Sequence, residues 1–124
     1  MPSRMFCVNW FRKNPRDGRW LWPGFGDNAR VLEWIHSRYD DAIDAVDTPI
    51  GLVPARDALN VDGLPIGVAD LDELLHVDPD EWLQEIEPIR DFYAALADTL
   101  PAALQRQLDA LERRLLDAPR GRRR

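Results

Sequence analysis

The sequence predicts an α/β chain of α+β-like order, in which short N-terminal strands forming a β-hairpin are followed by a helix and then by a C-terminal helical segment. Three observations predict it. Strand formers at residues 5–11 run into turn residues, apolar side chains recur at helical spacing from Val31 onward, and the C-terminal half carries three further runs of that kind, punctuated by Asp-Pro and Leu-Pro steps.

Met5 to Phe11 (MFCVNWF) is rich in strand formers, and Pro15 and Asp17-Gly18 in the following RKNPRDG are turn chemistry, so Arg19 to Trp22 reads as the returning strand of the hairpin. Cys7 then falls in a buried strand, where a thiol is inert. Pro23-Gly24-Phe25-Gly26 ends the ladder, because proline lacks a donor and glycine frees the backbone. Asp27 or Asn28 supplies an N-cap, and Val31, Leu32, Trp34, Ile35 and Tyr39 predict a helix over about 28–40. Residues 40–47 read as an acidic linker and 48–54 as extended chain pinned by Pro49 and Pro54; Asp62-Gly63 marks another turn.

Ala69 to His76 predicts a short amphipathic helix. Asp78-Pro79-Asp80-Glu81 opens a longer one as a capping box with proline at its first position, and Pro88 should bend or split it near Glu87. After Leu100-Pro101, a last helix carries Leu104, Leu108, Leu111 and Leu115 on one core-facing stripe.

The chain is long enough for one domain with a real core, and no apolar run approaches the roughly 18 residues of a membrane span. No membrane partner is read, and no secretory signal is read in MPSRMFCVNWF. The lone Cys7 fits a reducing cytoplasm, where the chain is expected. The net charge of −6 is unevenly spread: residues 1–30 hold six cations against Asp17 and Asp27, whereas residues 31–118 hold six arginines against twenty acids. An anionic ligand is therefore expected near the N-terminus, since local field steers association. Residues 119–124 form a basic tail without interleaved aromatics, so no nucleic acid is read as a partner.

No catalytic constellation is found. The four aspartates of residues 40–47 lack the glycine and closing glutamate of a calcium loop, and His36 and His76 have no metal-ligand spacing. The only lysine is Lys13, and no Gly-x-x-x-x-Gly-Lys-Ser/Thr occurs. What remains is a ring cluster, Trp10, Phe11, Trp20, Trp22 and Phe25, beside cations and a helix start bearing Asn28. Such π-faces suit a planar purine, and an asparagine amide can choose among bases; plain core packing explains the same rings equally well on physics alone.

VNWFRK at residues 8–13, LWPGFGDNARVLEWI at 21–35 and DTPIG at 47–51 closely resemble the C-terminal region of GTP-dependent phosphoenolpyruvate carboxykinase. The runs DLDELLHVDPDEW and LPAALQRQLDALERRL are similar to the end of that family, so the likeness covers nearly all of residues 6–116. It implies that residues 1–118 are part of a larger nucleotide-binding domain in which guanine lies between aromatic rings. By position, Phe11 and Phe25 become the stacking faces. Phe25, Gly26, Asp27 and Asn28 match the guanine-contacting run, with Asp27 in place of the usual Glu. Trp20 stands where the family usually has Phe, and RKNPRDG is a residue longer than the common turn.

The resemblance implies GTP or GDP as nucleotide, with Mn2+ or Mg2+ only in the full-length enzyme. The family's phosphate loop, metal ligands, substrate-binding arginines and lid are not matched by this sequence, so the chain is expected to be a fragment, inactive alone, with the missing upstream part as a candidate partner. The alternative is a small helical interaction module that no longer binds nucleotide.

Overall fold

The computed structural model describes residues 3–120. The helical expectations are met closely: α1 spans Asn28–Tyr39, α2 Val68–Leu75, α3 Pro79–Leu96 and α4 Ala102–Asp117. A 3-10 turn, Phe25–Asp27, precedes α1, and another, Ala97–Thr99, follows α3. Among the described residues the one sheet is a two-stranded antiparallel hairpin, β1 (Ala45–Thr48) and β2 (Gly51–Pro54), placed where the sequence suggested an acidic linker and extended chain. Pro49 and Ile50 form its turn, Gly51 takes a φ of 121°, and the Thr48 hydroxyl donates to the Gly51 carbonyl at 2.6 Å. Side-chain bonding of that kind closes a turn that the acidic composition hides.

The expected N-terminal ladder is reduced to one antiparallel bridge, Lys13 with Trp20, and residues 5–11 form no strand. A strand exists only where its N–H and C=O groups find a partner, and propensity cannot supply one. Phe6 and Trp10 instead lend their rings to a core, while Cys7, expected in a buried strand, is exposed. The turn chemistry does hold. Asn14 N–H donates to the Arg19 carbonyl at 2.8 Å, Gly18 sits at φ 71°, and the Asn14 and Asp17 side chains accept from the backbone of Arg16 and Arg19.

Two compact units divide the chain. The first comprises Met1–Asp47 and Leu52–His76, around buried Trp22, Trp34, Leu59 and Leu71. Phe6 meets Trp34 edge to face at 6.2 Å, and the buried Trp34 indole N–H finds no acceptor among the described residues. Arg4 closes the C-terminal end of α1: its guanidinium donates to the Arg38 and Tyr39 carbonyls and pairs with both oxygens of Asp41.

The second unit comprises Thr48–Gly51 and Val77–Arg124. Its core joins Ile86 of α3 to Leu108 and Leu115 of α4, with Ile50, Leu83, Ile89, Tyr93 and Leu111 around them. The Asp78 side chain caps α3 by accepting from the Asp80 and Glu81 amides, as its sequence signature implies. Pro88 lies inside α3 without splitting it. The packing of Ile86 and Ile89 on either side outweighs the missing bond to Gln84, although proline costs about 3 kcal/mol in a helix interior. Arg90 reaches across to Asp109 at 3.2 Å and Glu112 at 2.7 Å. Leu104, expected on the buried stripe, is exposed, because it belongs to the first turn of α4. Of the basic tail, Arg120 bonds the Leu115 and Ala118 carbonyls and Asp80, and residues 121–124 lie outside the described residues.

Leu115 is fully buried, so Leu115→Ala should lower stability by about 2–5 kcal/mol. Amide exchange should localise the loss to α3 and α4. The Arg4 guanidinium, by hydrogen bond and by charge, holds the Asp41 carboxyl below its ordinary 3.8. A depressed carboxyl stabilises the fold above its unfolded pKa and loses that contribution as pH falls through the folded value. The small Tm difference between wild type and Asp41→Asn at neutral pH should therefore vanish in strong acid.

Candidate functional site

The candidate residues lie in the first unit, on the loop between residues 9 and 22 and on the turn leading into α1. Asn9 starts the loop by accepting from the Phe11 N–H at 3.0 Å, which turns the chain and swings the Phe11 ring outward, leaving it 73% exposed. Across the loop, Lys13 faces Trp20 in the bridged pair, where side chains of opposed residues share a face. The Lys13 ammonium accordingly sits 4.3 Å from the centre of the Trp20 ring, a cation–π contact. Phe11 meets the same ring edge to face at 5.9 Å. Trp20 thus has a cation on its face, a phenyl ring against it, and 52% of its surface still open.

The second half of the site is the turn after Pro23. Gly24 takes φ 77°, and Phe25 follows at φ 52° with 95% of its surface exposed. A bulky residue with positive φ is strained, typically by about 1–2 kcal/mol. An almost bare ring compensates none of that by packing. Asp27 N–H closes the turn on the Gly24 carbonyl at 3.2 Å, and Gly26 is exposed beside it. Asp27 occupies the N-cap position of α1, yet its carboxylate caps no amide; it turns to Arg30 at 3.3 Å. The 3-10 turn already uses the local backbone, and the guanidinium is the stronger partner.

Asn28 is where the two halves meet the core. The Trp22 indole N–H donates to its Oδ1 at 2.9 Å. Indole nitrogen is only a donor, so it must face the amide oxygen, and the Asn28 NH2 group is left to donate elsewhere. The aromatic cluster therefore divides. Trp22 is buried and Trp10 packs against the same core, whereas Phe11, Trp20 and Phe25 stand in solvent. Phe11 and Phe25 are not packed into the interior, and Phe11 takes Trp20 as its ring neighbour.

Sequence reasoning missed the residues that hold this loop. Arg19 pairs with Asp70 at 3.0 Å, and Arg12 with Glu73 at 3.7 Å, both acids being on α2. Hydrogen bonding to Asp70, then the charges of Asp70 and Asp17, raise the Arg19 pKa above its usual value. Arg30 also bonds the Asn60 carbonyl at 3.2 Å and its side-chain oxygen at 3.3 Å. Only the sign of the charges hinted at such pairs; their separation in sequence carries no signal. Among the described residues, no group of three or more His, Cys, Asp or Glu is placed to hold a metal ion. Nor is any described helix long and apolar enough to cross a membrane.

Residues 1–114 match the family model described as the phosphoenolpyruvate carboxykinase C-terminal P-loop domain. The chain is similar to the phosphoenolpyruvate carboxykinase [GTP] of Arthrobacter sp. (strain FB24), with 48% identity over 94% of this chain and 19% of that protein. It is also similar to those of Paenarthrobacter aurescens (strain TC1), at 46%, and Neocallimastix frontalis, at 47%, each over 90% of this chain and 18% of the relative. It thus spans about a fifth of the length of the curated relatives it matches. With its ring-bearing loop, its glycine turn and its helices matched along nearly the whole length, the chain belongs to the phosphoenolpyruvate carboxykinase family, in the part that corresponds to the C-terminal P-loop domain.

Proposed function

We propose that this chain is the guanine-selecting portion of a GTP-dependent phosphoenolpyruvate carboxykinase, with Phe11, Trp20 and Phe25 as ring surfaces and Gly26, Asp27 and Asn28 at the base edge. The observation that carries this reading is Phe25: a strained backbone presents an almost fully exposed ring, which is costly for folding by itself and leaves an open face for a flat ligand. Stacking contributes on the order of 1–3 kcal/mol per base and does not choose among bases. The choice falls to Asn28. With its oxygen engaged by Trp22, the amide offers donors, which suit the carbonyl of guanine and oppose the amino group that adenine carries there.

The whole reaction of the relatives, oxaloacetate and GTP to phosphoenolpyruvate, GDP and carbon dioxide in gluconeogenesis, would need groups this sequence does not bring. It has no Gly-x-x-x-x-Gly-Lys-Ser/Thr run, and among the described residues no carboxylate or histidine cluster fits a divalent ion, so no step through Mn2+ or Mg2+ is derived from it. Its role is nucleotide choice, in the cytoplasm, with the remainder of a carboxykinase as the partner that completes the chemistry. The second reading, a helical interaction module without nucleotide binding, has in its favour that Trp22 and Trp34 are core.

Titration of the chain with GDP should quench tryptophan emission, and ADP should bind roughly 10–100-fold more weakly, the worth of one mismatched buried donor. Equal quenching by both would sink the reading. Asn28→Asp keeps an acceptor for the Trp22 indole but loses the donors, so its preference for GDP over ADP should disappear while its Tm stays close to that of wild type. Phe25→Gly relieves the positive φ, and should leave stability unchanged or raised by up to about 1 kcal/mol while weakening GDP at least tenfold.

A further inference from the structure

The loop that bears Phe11, Lys13 and Trp20 is held by one short element. Along its two limbs, residues alternate between faces. Lys13 and Trp20 oppose each other on one face, and the neighbouring residues Arg12 and Arg19 reach the other way, to α2. Arg19 meets the first turn of α2, where its Nη2 lies 3.0 and 3.2 Å from the two oxygens of Asp70. Arg12 meets the opposite end. It donates from Nη1 to the His76 carbonyl at 2.8 Å and the Leu74 carbonyl at 3.4 Å, and its Nη2 lies 3.7 Å from Glu73. Arginine suits both tasks, since its fork can hold a carboxylate with one edge or gather the unpaired carbonyls of a helix C-terminus.

We infer that α2 is the platform that orients the ring set, with Arg12 and Arg19 as positioning residues that clamp the loop to its two ends and thereby set ligand affinity without touching the ligand. The inference rests on the nucleotide reading for its effect on affinity, and on geometry alone for its effect on the loop. Two cross-loop bonds report the loop's order: Leu21 N–H to the Arg12 carbonyl at 3.0 Å and Asn14 N–H to the Arg19 carbonyl at 2.8 Å. Neither involves α2, so their protection depends on the clamp only if the clamp orders the loop.

The test is Asp70→Asn in the full chain, read by amide exchange at Asn14 and Leu21 and by GDP titration, with the charge-swapped Arg19→Asp/Asp70→Arg pair as rescue. Loss of one well-formed ion pair should speed exchange at both amides roughly fivefold and weaken GDP by about the same factor, with α3 and α4 amides unchanged. The swap should restore both readouts at least in part. Exchange identical to wild type overturns the inference. So does faster exchange with undiminished GDP affinity, because the loop's order would then not set the rings. A wild-type chain that ignores GDP, with Asp70→Asn still speeding exchange, defeats the nucleotide reading and supports the clamp.

Discussion

The hydrogen bond from the Trp22 indole to Asn28 Oδ1 is the contact on which the site depends. Trp22 is 4% exposed, so its ring is anchored among Trp34, Leu59 and Leu71, and its one polar atom would be left unsatisfied without the asparagine. Five residues separate the two partners, and the bond closes them into a loop that cannot relax by extending. Pro23, Gly24, Phe25, Gly26 and Asp27 are therefore compressed into a tight path. A positive φ at Phe25 accompanies that path, and its ring points outward into solvent. The same bond decides the orientation of the Asn28 amide, which links core packing to the proposed choice of base.

The cations of the N-terminal segment also hold the fold together. Arg4 closes α1, Arg12 closes α2, Arg19 meets Asp70, and Arg30 ties Asp27 to Asn60. Arg120 repeats the device on α4. Each guanidinium offers several donors in a plane, so one side chain can satisfy two or three carbonyls that a helix end leaves open. This chain, with its single lysine, uses arginine as its general means of finishing helices and fastening loops. Part of the positive field is offset by carboxylates, Asp41 for Arg4 and Asp17 and Asp70 for Arg19, and Lys13 stands over the exposed Trp20 ring.

What the sequence made legible depended on how local the cause was. Helix α3 could be read from Asp78, Pro79 and Glu81, because an N-cap acts within one turn, and α1 from the spacing of Val31, Trp34 and Ile35. The hairpin of β1 and β2 was illegible, since Ala45 to Pro54 lacks the alternation that marks a strand and is closed by a threonine hydroxyl and a glycine. The strand expected at residues 5–11 failed for the opposite reason: its residues favour a strand, but no segment among the described residues pairs with it. Pro88 does not split α3, because its cost is local and the packing that offsets it is not. For the candidate site, residue types and positions were legible, and the supporting acids Asp70 and Glu73 were not.

The sequence alone determined the family, the helices and the concentration of rings and glycines near the N-terminus, because each is written in residue type at short spacing. Tertiary structure decided which rings are core and which are surface. Trp22 and Trp34 could fill a cavity and did so, while Phe11, Trp20 and Phe25 were left in solvent. The physical reason is that burial depends on what else in the chain reaches the same volume, and two of the residues that fill this core, Leu59 and Leu71, come from a distant part of the sequence.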